Sequence, residues 1–130
     1  MNVTIVRADA AAWLRDNSPE FILTDVPHPL LSQISKIVEA KRLQWINASS
    51  PQWLTLVRTG EKVLEPYARI IRAFPEFNTV CDPCMGWGTT GFAAVSEGRN
   101  FIGVDHDLER CQFVAERFHG GPDTVTTVGF

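Results

Sequence analysis

Asn78–Asp107, NTVCDPCMGWGTTGFAAVSEGRNFIGVDHD, reads as one supersecondary unit. Asn78 to Asp82 is a short strand-type run that ends in an acid. Pro83 to Gly88 is a loop with a proline and two glycines. Thr89 to Gly98 carries small and apolar residues at helical spacing, among them Phe92, Ala93 and Val95. Gly98 suits the end of that helix, where a left-handed residue is cheapest as glycine. Asn100 to Asp105 is a second strand of buried type, and it too ends in an acid. Strand, glycine loop, helix, strand, acid is the βαβ unit of a nucleotide-binding α/β fold. Its glycines let the backbone approach a ligand, and the second acid is placed to accept hydrogen bonds from ribose hydroxyls.

The segments on either side extend the same pattern. Val3, Ile5 and Val6 mark a first strand, and Asp9 stands as N-cap before the helix-forming AAAWLRD. Phe21, Ile22 and Leu23 form an apolar run typical of a parallel strand buried on both faces. That strand stops at Thr24–Asp25 and a proline-rich turn, Val26–Pro27–His28–Pro29. Leu30, Leu31, Ile34, Ile37 and Val38 predict an amphipathic helix over Pro29–Arg42. Strands are expected at Leu43–Asn47 and Gln52–Val57, and a helix over Glu61–Phe74 with Pro66 in its first turn. Asp107 caps a helix through Phe118, and the β-branched tail after Gly120–Gly121–Pro122 suits an edge strand or docking on a partner. Trp13, Trp45 and Trp53 fit core or near-surface packing, with stacking on a base as the alternative.

Composition narrows the function classes. A chain of 130 residues, 45% hydrophobic and 21% charged, suits one soluble domain with one core. No apolar run reaches the roughly 18 residues of a membrane span, and MNVTIVRADA lacks the basic and apolar regions of a secretory signal. The expected location is therefore cytoplasmic, with no membrane partner. Three cysteines, an odd number, argue against a disulfide framework. Cys81 and Cys84 are formally C-x-x-C, with His106 and Cys111 as conceivable further ligands, but the fold explains each and no metal is expected. A net charge of −3 disfavours strong non-specific nucleic-acid binding. Lys36, Lys41, Arg42, Arg58, Lys62, Arg69 and Arg72 offer either a local basic face or solvated helix surfaces.

The string DPCMGWGTT at Asp82–Thr90 resembles the DPF-x-GSGTT signature of amino-methyltransferases that use S-adenosylmethionine (SAM) on DNA bases. FIGVDHD at Phe101–Asp107 resembles that family's FIG-[IV]-[ED]-x-D. DVPH at Asp25–His28 is a partial match to its catalytic [DNS]-P-P-[YFW], with Val26 for the first proline and His28 for the aromatic residue. Lys62 stands for the Lys of its K-P-x-x-L-x-x-R-[LI]-I helix, and Val63 replaces the Pro. Cys84 and Trp87 replace Phe and Ser in the glycine loop.

The resemblance implies a Rossmann-like SAM-methyltransferase fold, circularly permuted, with a mostly parallel sheet and helices on both faces. It implies SAM held by Pro83, Cys84, Gly86, Trp87, Gly88 and Thr89, with Asp82 and Thr90 at the methionine end. Lys62 joins that set, Asp105 takes the ribose hydroxyls and Asp9 the adenine amino group. The large Trp87 would narrow the pocket or cover the cofactor. Asp25 and the Val26 carbonyl would accept from an exocyclic amine of adenine or cytosine, while Pro27 shapes the turn and His28 stacks on a flipped base. Few residues separate Pro29 from Gly60, so a single domain without a target-recognition segment is expected. DNA contacts would then come from a homo-oligomer or a partner subunit. The alternative is a SAM-binding relative without transfer activity, acting as regulatory subunit, inhibitor or cofactor-sequestering protein. A blander alternative is an α/β domain for another nucleotide.

Overall fold

The computed structural model describes residues 1–39, 42–46 and 64–130. The chain runs β1 (Asn2–Arg7), α1 (Ala10–Asp16), β2 (Ile22–Thr24), α2 (His28–Ser35) and β3 (Leu43–Trp45). It continues with α3 (Glu65–Arg72), β4 (Thr79–Asp82), α4 (Thr89–Ser96), β5 (Asn100–Asp105), α5 (Leu108–Phe118) and β6 (Thr124–Val128). The strands form one sheet in the order β3-β2-β4-β5-β1-β6, and every described ladder is parallel. Parallel neighbours need crossovers, and the helices supply them on both faces.

The apolar run at Phe21–Leu23 shows why this sheet needs two helical layers. Phe21 and Leu23 join Val80, Phe101, Tyr67, Ile71, Ala93 and Val114 in one core. Ile22 points the other way and joins Leu14, Ile34 and Cys81. A strand covered on both faces has no solvent side, so its sequence does not alternate. Phe21 stacks on Phe77 with ring centroids 5.1 Å apart and meets Phe74 at 5.0 Å, which ties the segment after α3 to β2. Arg99 completes that corner, donating from Nη1 to the Phe74 and Phe77 carbonyls at 3.1 and 2.7 Å.

The chain turns in opposite directions across the sheet. From β2 it moves outward to β3, whereas from β4 it moves to β5 on the other side. The β2–β4 boundary is therefore a topological switch point, and ligands of such sheets bind outside the carboxyl ends of the strands there. Asp25 follows β2 and Asp82 ends β4, so both acids flank that crevice.

Most predicted elements form. Asp9 and Asp107 are side-chain N-caps, and Pro66 lies in the first turn of α3. Gly98, at φ +74°, closes α4: its N–H donates to Val95 and that of Arg99 to Ala94, the paired bonds of a Schellman motif. Two outcomes differ from expectation or decide between readings. The helix predicted to Arg42 ends at Ser35, and Ile37 and Val38 reach the core from a tightened turn in which both N–H groups bond the Ile34 carbonyl. The apolar period reports which side chains are buried, and that burial does not require the helical bonds to continue. The tail settles as an edge strand, pairing with β1 from Asn2↔Thr124 to Val6↔Val128. The strand expected at Gln52–Val57 and the first residues of the Glu61–Phe74 helix lie outside the described residues.

Leu23 is fully buried in β2, with β3 and β4 as neighbours. Leu23→Ala is expected to cost about 2–5 kcal/mol. Urea unfolding should show this as a lower midpoint at an unchanged slope.

Candidate active site

The loop after β4 is organised by two carboxylates. Asp82, 1% exposed, accepts from the Cys84 N–H at 3.0 Å through Oδ1 and from the Thr90 hydroxyl at 2.8 Å through Oδ2. A buried carboxylate without donors is costly, and here one carboxylate takes donors from both ends of the loop. Asp105, at the end of β5, accepts from the Gly86 N–H at 3.0 Å and from the Asp107 N–H at 2.9 Å. The Met85 N–H donates to the Val104 carbonyl, also at 3.0 Å, so the loop lies against β5. Gly88, at φ +91°, precedes α4, and a Cβ there would come 3.0 Å from a Val114 methyl. Both the backbone angle and the close approach require glycine. No side chain caps α4, so the N–H groups of Thr89 and Thr90 at its start have no side-chain acceptor from the cap position.

The second part of the site follows β2. Asp25 is exposed, and its Oδ2 accepts from the Tyr67 hydroxyl at 3.1 Å. Val26 is buried, and its carbonyl accepts from the Trp45 indole N–H at 2.8 Å. Pro27 is the residue before α2, and its carbonyl accepts from Leu30 and Leu31. His28 opens α2, and its side chain lies outside the described part of the structure. Asp9, after β1, accepts from the Ala12 N–H at 3.0 Å as a helix cap.

These acids converge. Burial first, then the negative charges of Asp82, Asp105, Asp9 and Asp25, push the Cys84 thiol up to about 12. Four parallel strands thus end in carboxylates whose fields meet at one side chain. Cys84 is held neutral there and is no nucleophile. Cys81, in β4, packs with Leu14 of α1 and Ile34 of α2, while the Cys111 thiol lies by the Val6 and Asp105 carbonyls. Among the described residues no group of His, Cys, Asp and Glu side chains could hold a metal ion.

The remaining expected site residues divide. Lys62 lies outside the described residues. Trp87, 52% exposed, turns onto α5: its ring meets Phe113 edge-on at 5.1 Å, with the Arg110 guanidinium 5.8 Å from its centroid. The indole thus rests on α5, which accounts for a large residue inside a tight loop. Of the basic residues, Arg72 pairs with Glu65 and Glu97, Arg69 with Glu65 and Arg42 with Glu39. Lys41, Arg58 and Lys62 are outside the described part. Sequence reasoning did not single out Tyr67, which reads as an apolar-face aromatic, and weighed Trp45 only as packing or for stacking on a base; tertiary packing brings them to Asp25 and Val26.

Burial, the leading cause, raises the Asp82 carboxyl to about 7. Thr90, Cys84 and Thr24 work against that rise, while the charge on Asp25 adds to it. The Thr24 hydroxyl is buried beside this carboxylate without a hydrogen bond of ordinary geometry. In the unfolded chain Asp82 titrates near 3.8, so between about 4 and 7 the native state binds more protons. The contribution of Asp82 to stability is therefore greatest below the unfolded value, falls as pH rises to about 7 and is flat above. Its slope is at most about 1.4 kcal/mol per pH unit. Asp82→Asn should remove that segment of the stability–pH curve, measured by denaturant unfolding between pH 4 and pH 8.

Comparison with known proteins finds a family and similar proteins. A DNA methylase family model matches residues 59–117. The type II methyltransferase M2.MboI of Moraxella bovis is 36% identical over 50 residues, a match covering 38% of this chain and 18% of that protein. A crystal structure of M1.HpyAVI aligns with a TM-score of 0.63 at 22% identity, covering 89% of this chain and 98% of that one. A crystal structure of the M1.HpyAVI–SAM complex aligns with a TM-score of 0.64 at 20% identity, covering 90% and 99%. From residue 59 to 117 the chain thus matches the DNA methylase family, and its fold is similar to that of M1.HpyAVI.

Proposed function

We propose that this protein transfers a methyl group from SAM to an exocyclic amine of adenine or cytosine in DNA. The observation that carries the reading is that Asp9, Asp25, Asp82 and Asp105 stand at the carboxyl ends of four strands of one parallel sheet, around the loop after β4. The family match over residues 59–117 and the fold shared with a SAM-complexed neighbour support it.

The residues fit SAM on chemical grounds. SAM is a sulfonium with an α-ammonium group, and a site rimmed by carboxylates attracts positive charge. The start of α4, which no side chain caps, presents N–H donors to a carboxylate. Asp105, at 5% exposure, holds Gly86 and Asp107, and each of its oxygens keeps a further lone pair for a ribose hydroxyl. Asp9, exposed and with one oxygen on Ala12, is assigned to the adenine amino group. Pro83, Cys84, Trp87, Thr89 and Thr90 complete the loop, and Lys62 is carried as a cofactor residue from the sequence alone.

SAM supplies an electrophilic methyl group when bound. The chain's part is to present the amine. Its lone pair is delocalised into the ring, so acceptors for both N–H groups favour the tetrahedral geometry that frees it. Asp25 is one acceptor and the Val26 carbonyl the other, and fixed placement supplies further acceleration. Pro27 holds the turn before α2, and His28 provides a planar face for the extruded base. Because the described Arg42, Arg69 and Arg72 are each paired with a carboxylate, DNA contacts are assigned to a second copy or a partner subunit.

The deciding measurement incubates the protein with methyl-labelled SAM and mixed-sequence DNA, and reads SAM binding separately. Label in DNA is expected. SAM binding without transfer would leave a cofactor-binding protein of regulatory or sequestering type, and no SAM binding would end both readings. Asp25→Ala should lower the transfer rate by about 10²-fold or more while SAM affinity stays within twofold. Positive charge on the ligand favours ionised Asp82, so SAM binding should weaken as pH falls from 8 to 6, read by calorimetry.

A further inference from the structure

We infer that Tyr67 and Trp45 are positioning residues that fix the two amine acceptors of the site, Asp25 and the Val26 carbonyl. The inference rests on the methyl-transfer reading above and adds to it Trp45, outside the matched motifs, and Tyr67, at an unspecified position of the K-P-x-x-L-x-x-R-[LI]-I helix.

Two hydrogen bonds carry it. The Tyr67 hydroxyl donates to Asp25 Oδ2 at 3.1 Å, and the Trp45 indole N–H donates to the Val26 carbonyl at 2.8 Å. The two donors approach from opposite flanks. Trp45 ends β3, in register with Thr24 of β2, and the next residue's N–H holds the Thr24 carbonyl at 2.9 Å. Tyr67 stands in the first turn of α3, immediately after Pro66, and is 4% exposed. It is the only tyrosine in the sequence.

The stoichiometry of lone pairs makes the arrangement useful. An ionised carboxylate has about four acceptor sites and a carbonyl oxygen two. Each aromatic donor occupies one site and leaves others for the amine. Asp25 is exposed, and an exposed carboxylate otherwise samples several rotamers. A donor fixed in the core confines it, so the free lone pairs point one way. Burial and the nearby Asp25 charge push the Tyr67 phenol upward, so it stays protonated and donates. The indole N–H can only donate. Buried Tyr and Trp polar tips ordinarily find partners, so partnership alone is unremarkable chemistry. What singles out this pair is that their partners are the two atoms the reaction needs.

The test compares wild type, Tyr67→Phe and Trp45→Phe. It measures methyl transfer from labelled SAM to mixed-sequence duplex DNA at saturating substrates, SAM affinity by calorimetry, and thermal midpoint. Each variant is expected to lower kcat about tenfold, the cost of one charge-assisted or buried hydrogen bond, with SAM affinity within twofold. A kcat within twofold of wild type in both variants would overturn the inference while leaving the methyl-transfer reading intact. A fall in kcat matched by losses of SAM affinity and thermal midpoint would also overturn it, as a structural role would produce that pattern. Should Trp45→Phe fail to fold, Tyr67→Phe alone decides, because it keeps the ring and removes one oxygen. If wild type binds SAM but transfers no methyl group, the function reading fails and the inference fails with it, an outcome visible in the wild-type arm.

Discussion

A carboxylate buried at the end of a parallel strand must be given hydrogen-bond donors, and the site is built around meeting that demand. Asp82 takes one donor from Cys84 and one from Thr90; Asp105 takes one from Gly86 and one from Asp107. Three of these donors belong to the β4–α4 loop or the first turn of α4, and Asp107 precedes α5. The loop therefore has its shape because two acids at neighbouring strand ends hold it from below. Gly88 matters for the same reason: the chain must enter α4 from a left-handed residue while passing close to Val114.

The sheet order gives this loop its neighbours. The reversal of direction between β2 and β4 opens the crevice in which Asp25 faces Asp82. Negative charge accumulates there because four strands deliver one acid each to the same edge. Burial first, and then these charges, push the Cys84 thiol up and raise the Asp82 carboxyl to about 7. A site with that balance attracts a cation and repels phosphate. Arg42, Arg69 and Arg72 each face a carboxylate of the chain itself.

Much of the architecture was legible in the residues. The βαβ unit at Asn78–Asp107 appears with its strands, Schellman stop and terminal acids where the spacing put them. Asp9 and Asp107 act as caps because a short acidic side chain before an apolar helical run has few better uses. Less legible was the end of α2, where Ile37 and Val38 kept the helical period after the helical bonds had changed. Trp87 was legible only as a large residue in a small-residue position; its seat on Phe113 and Arg110 depends on where α5 passes.

The sequence by itself determined the local units: which runs become strands, which acids stand at strand ends, and where the glycine loop lies between them. Those properties follow from neighbours within a few positions, through backbone sterics, capping and burial period. The tertiary structure alone decided that β2 lies beside β4, that the tail pairs with β1, and that Tyr67 and Trp45 reach Asp25 and Val26. Tyr67 and Asp25 are 42 positions apart in the chain, and Trp45 and Val26 are 19 apart. No local propensity encodes a hydrogen bond across such a gap. It arises when the packing of α3 and β3 against a common sheet brings a donor to an acceptor.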